Sequence, residues 1–442
     1  QYLSYLGSIG TKALFSSKDY ALYESIRALS ILKEIPNVDQ KELADAEALV
    51  LYNQQNLGAP SEMALLSRLQ WWTVEYGLIG SIDQPKIYGA GLLSSIGESA
   101  SCMDPKVKKI EYTFDALSYS YDITKEQPQL FVTPTFQNLI DVLEQFESTM
   151  AYRVGGLESV SKAIECKNIC TAVFSSGLQV SGVFSKVYTD AHQAIKYINT
   201  TGPTSLAFND QLLQGHDANY HAHGFGSPVG KLKDAVKSLE DYTAAELVSA
   251  GIIVDKAVQL AFENGILVEG KLVSQTFMED KLLLLSFADC KVTDKEGQVF
   301  FEPAWGMFDM AIGDTIVSVF NGSADKNALE DQLYVSEQPT HQPNYTAKDL
   351  QYQSLFKQIR TYREQGKSDE SLNEIWQGIQ NEFESDWLGA MELLELADTM
   401  PTQQALANEL RAYLNAQSDK YPAYSKLIRD GLKIIDAKLK FE

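Results

Sequence analysis

Glu75 is the residue whose surroundings point most directly to chemistry. It lies in a strongly apolar segment, Leu66-Ser-Arg-Leu-Gln-Trp-Trp-Thr-Val-Glu-Tyr-Gly-Leu. A lone carboxylate is costly to bury unless it is paired or bound to a metal. Gly89 and Gly91 follow, and glycines let a backbone approach closely. The segment indicates a functional acid, while a structural ion pair or hydrogen bond at Glu75 and a tight turn at the glycines stay open.

A second group of residues with metal-ligand chemistry is formed by His216, His221 and His223. His221 and His223 are separated by one residue, so on a strand they would share a face. Together with His216 they could bind a metal, since neutral imidazole is a common ligand. No flanking cysteine or carboxylate set completes a zinc site, which favours hydrogen-bonded histidines in a glycine-rich loop.

Charge and motif content exclude several function classes. The formal net charge is −22, and the basic stretches are short and interrupted. Such a surface repels phosphate backbones, so a nucleic-acid partner is not expected. The sequence contains neither a Gly-x-Ser-x-Gly nucleophile elbow nor a phosphate-binding loop with Gly-Lys-Ser/Thr, which argues against hydrolase and nucleotide-binding functions.

The location expected from the sequence is the cytoplasm. No apolar run is long enough for a membrane span, and the N-terminus has no basic region ahead of an apolar one. The four cysteines give no disulfide framework and fit reduced thiols. The chain enters an apolar pattern at Gln1 without an initiator Met, which predicts that it starts within a fold.

Periodicity predicts an α+β chain of three domains. Residues 1–155 read as mostly helical, with capping residues at Asp39 and Ser61. Residues 156–335 change to a period of two and predict a small antiparallel barrel or sandwich. Residues 336–442 begin with a linker over 336–348 and continue as a helical bundle. The predicted helices are Tyr20–Lys33, Gln40–Asn56, Ser61–Tyr76, Phe136–Thr149, Ala347–Gln365, Ser368–Leu396, Gln403–Ser418 and Ala423–Phe441.

Two ordered blocks of residues 1–155 resemble a known family. Trp71-Trp-Thr-Val-Glu-Tyr-Gly-Leu and Tyr88-Gly-Ala-Gly-Leu-Leu-Ser-Ser-Ile-Gly-Glu are similar to the signature region of the pterin-dependent aromatic amino acid hydroxylases, with the bacterial long forms nearest. Leu57-Gly-Ala-Pro-Ser and Gln127-Pro-Gln-Leu-Phe-Val-Thr-Pro-Thr-Phe also resemble that family.

The resemblance implies a monooxygenase that hydroxylates phenylalanine to tyrosine with O2. Members bind non-haem Fe(II) through two His and one Glu and take electrons from tetrahydropterin. Glu75 matches the carboxylate ligand. The positions that match the substrate pocket and its polar network are Trp71, Tyr76, Gly91, Ser94 and Glu98.

The chain departs from the family pattern in its histidines. The first histidine is His192, so both imidazole ligands are absent from the matching region and are expected upstream of Gln1. Iron and pterin are therefore not expected on this chain alone. A catalytically inert binding or regulatory protein and a tryptophan hydroxylase remain alternatives. The expected partners are an amino acid and O2, with self-association left open.

Overall fold

The chain forms two compact units in a computed structural model that describes residues 1–34, 39–122, 125–333, 345–367 and 371–438. The first unit combines residues 1–69 with 140–336, and the second combines residues 70–139 with 337–442. The domain boundaries expected from the sequence, at residues 155 and 335, remain a prediction. The two compact units are divided at other positions and each combines two separate segments of the chain.

The helices follow the apolar periodicity closely, and none of those described has the length and apolar composition that a bilayer crossing needs. They are α1 Tyr2–Gly10, α2 Ser17–Glu34, α3 Gln40–Gln55, α4 Glu62–Gln70, α5 Ala90–Ser94, α6 Ile96–Ser101, α7 Phe136–Glu147, α8 Ala151–Val154, α9 Gly156–Cys166, α10 Ala244–Ser249, α11 Lys326–Leu333, α12 Ala347–Gln365, α13 Leu372–Glu382, α14 Trp387–Ala397, α15 Gln404–Lys420 and α16 Pro422–Lys438.

The strands are short near the N-terminus and long in the middle of the chain. They are β1 Leu78–Gly80, β2 Pro85–Ile87, β3 Lys108–Glu111, β4 Gln129–Thr133, β5 Ile169–Phe174, β6 Leu178–Thr189, β7 Ile195–Phe208, β8 Gln211–Leu212, β9 Gly226–Pro228, β10 Ala257–Ala261, β11 Ile266–Met278, β12 Lys281–Asp294, β13 Val299–Phe301, β14 Phe308–Ala311 and β15 Ile316–Asn321.

Antiparallel strands dominate the first unit, as the period of two predicts. One sheet has the order β15-β5-β6-β7-β8, with β9 paired to β7. A second sheet has the order β10-β11-β12-β13, with β14 paired to β12. The mixed helix and sheet content agrees with the predicted fold class, and closure into a barrel or a sandwich remains a prediction.

The buried carboxylate of Glu62 connects three distant segments of the first unit. Glu62 is 5% exposed and lies in the first turn of α4. Its oxygens accept the backbone N–H groups of Leu14 at 3.2 Å and Ala151 at 2.8 Å, and the Lys162 ammonium at 3.3 Å. A buried charge is tolerated when it is paired and hydrogen-bonded in this way.

The second unit contains a sheet that the helical interpretation of residues 1–155 missed. Its order is β2-β1-β4-β3, with β1 and β2 antiparallel and β4 parallel to both β1 and β3. The strands span three to five residues. Such short segments carry too few alternations to reveal a period of two.

In the second unit, the C-terminal helix α16 packs on helix α6, which comes before strands β3 and β4. Gly431 of α16 faces Ile96 of α6, and Lys426 pairs with Glu126 at 2.8 Å. This gives the C-terminal helices a scaffolding contact.

The single helix predicted over Ser368–Leu396 is wrong, because the chain breaks between α13 and α14, where Asp386 caps the new helix. Its first residues, and most of the predicted linker, lie outside the described residues.

Replacement of Glu62 by alanine is expected to destabilise the first unit by about 3–5 kcal/mol, because two backbone donors and a cation lose their buried acceptor. Urea unfolding at constant m value measures this loss. The matched control is Glu158→Ala, since Glu158 pairs with the same Lys162 but is 81% exposed. Glu158→Ala should lower the free energy of unfolding by less than about 1 kcal/mol. Equal losses for the two variants would contradict the connecting role of Glu62.

Candidate functional site

The segment around Glu75 leaves the α-helical path and forms a π-helical turn. Helix α4 ends at Gln70, and Trp71–Glu75 continue with wider spacing. The N–H of Tyr76 donates to the carbonyl of Trp71 at 2.9 Å, five residues back. The predicted helix is therefore α-helical as far as Gln70, and its last residues, Trp71–Glu75, are π-helical instead. Single π-helical turns are rare and frequently occur at functional sites.

Gly89 and Gly91 bring their backbone directly against this turn. A Cβ atom at Gly89 would lie 2.4 Å from the Glu75 carbonyl oxygen and 2.6 Å from the Gly77 nitrogen. A Cβ at Gly91 would lie 3.3 Å from the Glu75 Oε2 atom. Gly89 has a φ of −65°, which any residue adopts, so close packing explains the glycine at this position. The tight-turn alternative does not account for it.

The carboxylate of Glu75 is half-buried and has no protein partner among the described residues. Within those residues no cation forms an ion pair with it and no donor hydrogen-bonds its oxygens. The structural ion pair considered from the sequence is thus not found within the described residues. A half-buried acid without such compensation is a candidate ligand for a cation.

Three aromatic rings form a continuous stack next to Glu75. Trp71 lies between Tyr76, at 4.5 Å and 25°, and Tyr121, at 4.5 Å and 12°. The indole Nε1 of Trp71 is buried and finds no acceptor in the described part of the chain. Tyr121 was not singled out from the sequence, since it lies in an irregular segment without periodicity. The stack provides an apolar wall, and the indole N–H offers an unused donor.

Tyr76 also connects the turn to helix α6. Its hydroxyl donates to Glu98 Oε2 at 2.8 Å. Burial and then this hydrogen bond raise the pKa of Tyr76 to about 12. A cavity of about 10 Å³ that is lined by Tyr76, Glu98 and Leu130, among other residues, has room for one water molecule. The structure therefore joins two predicted site residues in one contact.

Ser94 has only a local contact in this arrangement. It closes α5, is exposed, and its hydroxyl donates to the carbonyl of Gly91 at 3.2 Å. Its predicted place near a substrate carboxylate remains a prediction.

The histidine group assembles differently from the sequence-based expectation. His216 Nδ1 lies 3.2 Å from His221 Nε2, and Asp309 of β14 offers a carboxylate oxygen, with all three donor atoms within 4.8 Å of one another. His223 is exposed and lies outside this group. The shared strand face was the wrong premise, because His221 forms a single bridge to Thr204 within turns.

Burial dominates the electrostatics of this second group. It lowers the pKa of His216 and lowers that of His221 to about 4, against the opposing charge of Asp309. Burial, followed by the charge of Asp309, raises the pKa of the neighbouring Tyr220 to about 12. Both imidazoles are therefore neutral at pH 7, which is the form that binds metals.

Residues 30–174 match the model of a family described as biopterin-dependent aromatic amino acid hydroxylase. Similar curated proteins include several phenylalanine-4-hydroxylases. That of Dictyostelium discoideum is 36% identical over 26% of this chain and 26% of its own length. The human protein is 38% identical over 22% of each chain, and the Vibrio cholerae protein 38% identical over 20% of this chain and 30% of its own. The chain thus spans about a quarter of the length of these relatives.

Solved structures of similar proteins cover a comparable share. Phenylalanine hydroxylase from Legionella pneumophila is 35% identical over 24% of this chain and 44% of its own, with a TM-score of 0.19. The Chromobacterium violaceum enzyme is 31% identical over 23% of this chain and 40% of its own, with a TM-score of 0.18. Scores this low carry no argument about the fold.

Replacement of Gly89 by alanine is expected to destabilise the second unit by about 1–3 kcal/mol, because the added methyl group overlaps the Glu75 carbonyl oxygen. Thermal unfolding followed by tryptophan fluorescence measures the change. The control is Gly7→Ala, since Gly7 lies in α1 with no atom within 4 Å of the added carbon. That change should be neutral or stabilise by up to about 1 kcal/mol. A Gly89→Ala protein as stable as the original would refute the close packing.

Replacement of Glu98 by glutamine is expected to lower the pKa of Tyr76 partway from about 12 towards its ordinary 10.0, because burial, the larger cause, remains. Since the folded-state pKa is raised, the associated stability is complete below pH 10 and is lost as pH rises through 12. Carbon-13 NMR of tyrosine labelled at Cζ measures the titration, and Tyr76→Phe assigns the signal. Exposed Glu111→Gln is the control; an unchanged pKa in Glu98→Gln would exclude the contact.

Proposed function

We propose that this chain carries the carboxylate side of an aromatic amino acid hydroxylase active site, because residues 30–174 match the model of the biopterin-dependent aromatic amino acid hydroxylase family. Its relatives include phenylalanine-4-hydroxylases, so the proposed reaction is conversion of phenylalanine to tyrosine by a monooxygenase. One solved structure of the Chromobacterium violaceum enzyme is described with bound iron(III), and another structure of the same enzyme with iron(III) and oxidised 7,8-dihydrobiopterin. Iron and a tetrahydropterin are accordingly the proposed cofactors, with O2 as co-substrate.

Glu75 carries this proposal. Its carboxylate is half-buried on a π-helical turn and has no cation or donor among the described residues. An acid with a purely structural role in such surroundings would destabilise the fold, because its charge would be partly buried without a compensating contact. A carboxylate that binds a metal ion needs no cationic or hydrogen-bonding partner in the protein, since the ion supplies the compensating charge.

The residues present do not make a complete iron site. A two-histidine, one-carboxylate set needs two imidazoles beside Glu75. The first histidine of the sequence is His192, and no His, Cys, Asp or Glu of the described residues forms a metal-ligating group with Glu75. Since residues 1–191 contain no histidine, the proposed activity requires imidazoles from elsewhere, and no reaction step follows from this chain alone.

The chain's own residues would bind and orient the amino acid. The stack of Tyr76, Trp71 and Tyr121 offers a flat apolar wall for an aromatic ring, and the buried Trp71 N–H offers a donor. The Gly91 backbone lies against this wall, and Glu98 holds the Tyr76 hydroxyl. Ser94, near the end of this segment, is proposed to act at the substrate carboxylate.

A second function is favoured by the same lack of imidazoles. A binding or regulatory protein would keep the aromatic wall of the hydroxylase fold without its iron chemistry. A tryptophan hydroxylase is the other alternative, because a flat aromatic wall does not by itself discriminate between phenylalanine and an indole.

In the protein as its cell makes it, Glu75→Gln is expected to reduce tyrosine formation by about 100-fold or more, since a neutral amide is a weaker iron ligand than a carboxylate. The measurement is product formation from phenylalanine with Fe(II), a tetrahydropterin and O2. Tryptophan and tyrosine are tested as substrates in parallel.

The control is Glu111→Gln, which removes an exposed acid at the end of β3 and should leave turnover unchanged. If the original protein converts none of the three amino acids, the hydroxylase proposal fails. Saturable phenylalanine binding without turnover would then support the binding protein.

A further inference from the structure

His216, His221 and Asp309 form a compact set of ligands that the hydroxylase proposal leaves unexplained. The two histidines lie in the loop between β8 and β9, and Asp309 lies on β14 of the other antiparallel sheet. Asp309 and His221 are buried, and His216 is half-buried. Two imidazoles and one carboxylate are a set that binds zinc or non-haem iron and leaves positions open.

We propose that His216, His221 and Asp309 bind a divalent first-row transition-metal ion such as Zn²⁺. The spacing of the nitrogens fits this assignment. Two imidazole nitrogens bound to one tetrahedral ion at about 2.0–2.1 Å lie about 3.3 Å apart. His216 Nδ1 and His221 Nε2 lie 3.2 Å apart.

The carboxylate completes the set after a small movement. All three donor atoms lie within 4.8 Å of one another, whereas any two ligand atoms of one tetrahedral ion lie about 3.3 Å apart. Binding therefore needs the widest pair of donor atoms to close by up to about 1.5 Å, which rotation about side-chain bonds supplies.

The charge of the site also calls for a cation. Asp309 is 5% exposed, and its Oδ1 accepts a hydrogen bond from the Ser286 hydroxyl at 2.5 Å. Among the described residues, no lysine or arginine forms an ion pair with Asp309. A buried carboxylate is costly without opposite charge, and a divalent ion would provide it.

The backbone holds both histidines in place. The Leu206 N–H donates to the His216 carbonyl at 3.0 Å, and the Thr204 N–H donates to the His221 carbonyl at 3.2 Å, so β7 anchors the loop at two points. Asp309 is fixed opposite Ser286 by pairing of β14 with β12. Ligands fixed on paired strands and an anchored loop lose little freedom when a metal binds.

A metal-free hydrogen bond between the two imidazoles would also bring the nitrogens this close. The two arrangements differ in what they predict for added metal. The hydrogen-bonded pair needs no third residue, whereas a metal site needs Asp309 as well.

The test is a titration of the metal-stripped full chain with Co²⁺, followed by visible absorption, and with Zn²⁺, followed by calorimetry. One equivalent of each ion is expected to bind. His221→Gln and Asp309→Asn, which preserve size and hydrogen bonding, should each weaken binding by about 100-fold. Circular dichroism confirms that each variant is folded.

His223→Gln and Glu75→Gln are the controls, since His223 is exposed beside the site and Glu75 belongs to the proposed hydroxylase site. Both should bind one equivalent like the original chain. The proposal is overturned if the original chain binds no stoichiometric metal, or if the folded His221→Gln or Asp309→Asn protein binds as the original does. Loss of binding in Glu75→Gln would also overturn it, because the ion would then lie at Glu75.

Discussion

The close approach of the Gly89 backbone to the Glu75 carbonyl oxygen is the constraint on which the candidate hydroxylase site depends. It leaves no room for a Cβ atom at Gly89. The N–H groups of Tyr88 and Gly89 both donate to the Gly77 carbonyl, so the β1–β2 hairpin returns the chain to the end of the π-helical turn. Because this contact fixes the backbone on both sides of Glu75, its carboxylate needs no ion pair to be positioned. A side chain held through its backbone can keep its charged end available for a ligand.

The helices were predictable because their signals are local. Apolar spacing and capping residues place α12 at Ala347–Gln365 as predicted, and the Asp39 carboxylate caps α3. The π-helical turn was not predictable, since apolar residues three and four apart fit an α-helix equally well. The backbone of Gly89 packs against the wider turn, and Gly89 belongs to a separate segment of the chain. Long-range packing therefore decides the helix type where periodicity alone cannot.

The two candidate sites were predictable to different degrees for the same reason. Glu75, Gly89 and Gly91 lie close in sequence, so a single stretch contained most of that site. For the second site the sequence contained His216 and His221 but gave no sign of Asp309, which arrives on β14 through pairing with β12. Alternation along one strand indicates a face, yet it cannot say which residue of another sheet lies opposite. His223 was grouped with the others by that alternation and proved exposed.

The two sites also differ in what completes them, and this affects how metal binding by this chain should be interpreted. In the described part of the chain, Glu75 supplies a carboxylate with no imidazole, whereas His216, His221 and Asp309 supply both ligand types within one compact unit. The match of residues 30–174 to the hydroxylase family directs attention to iron at Glu75, but ligand number favours the other site for any ion that this chain binds by itself. Metal content alone would therefore be weak support for hydroxylase chemistry. A bound ion is connected to the proposed reaction only if replacement of Glu75 abolishes its binding and replacement of His221 does not.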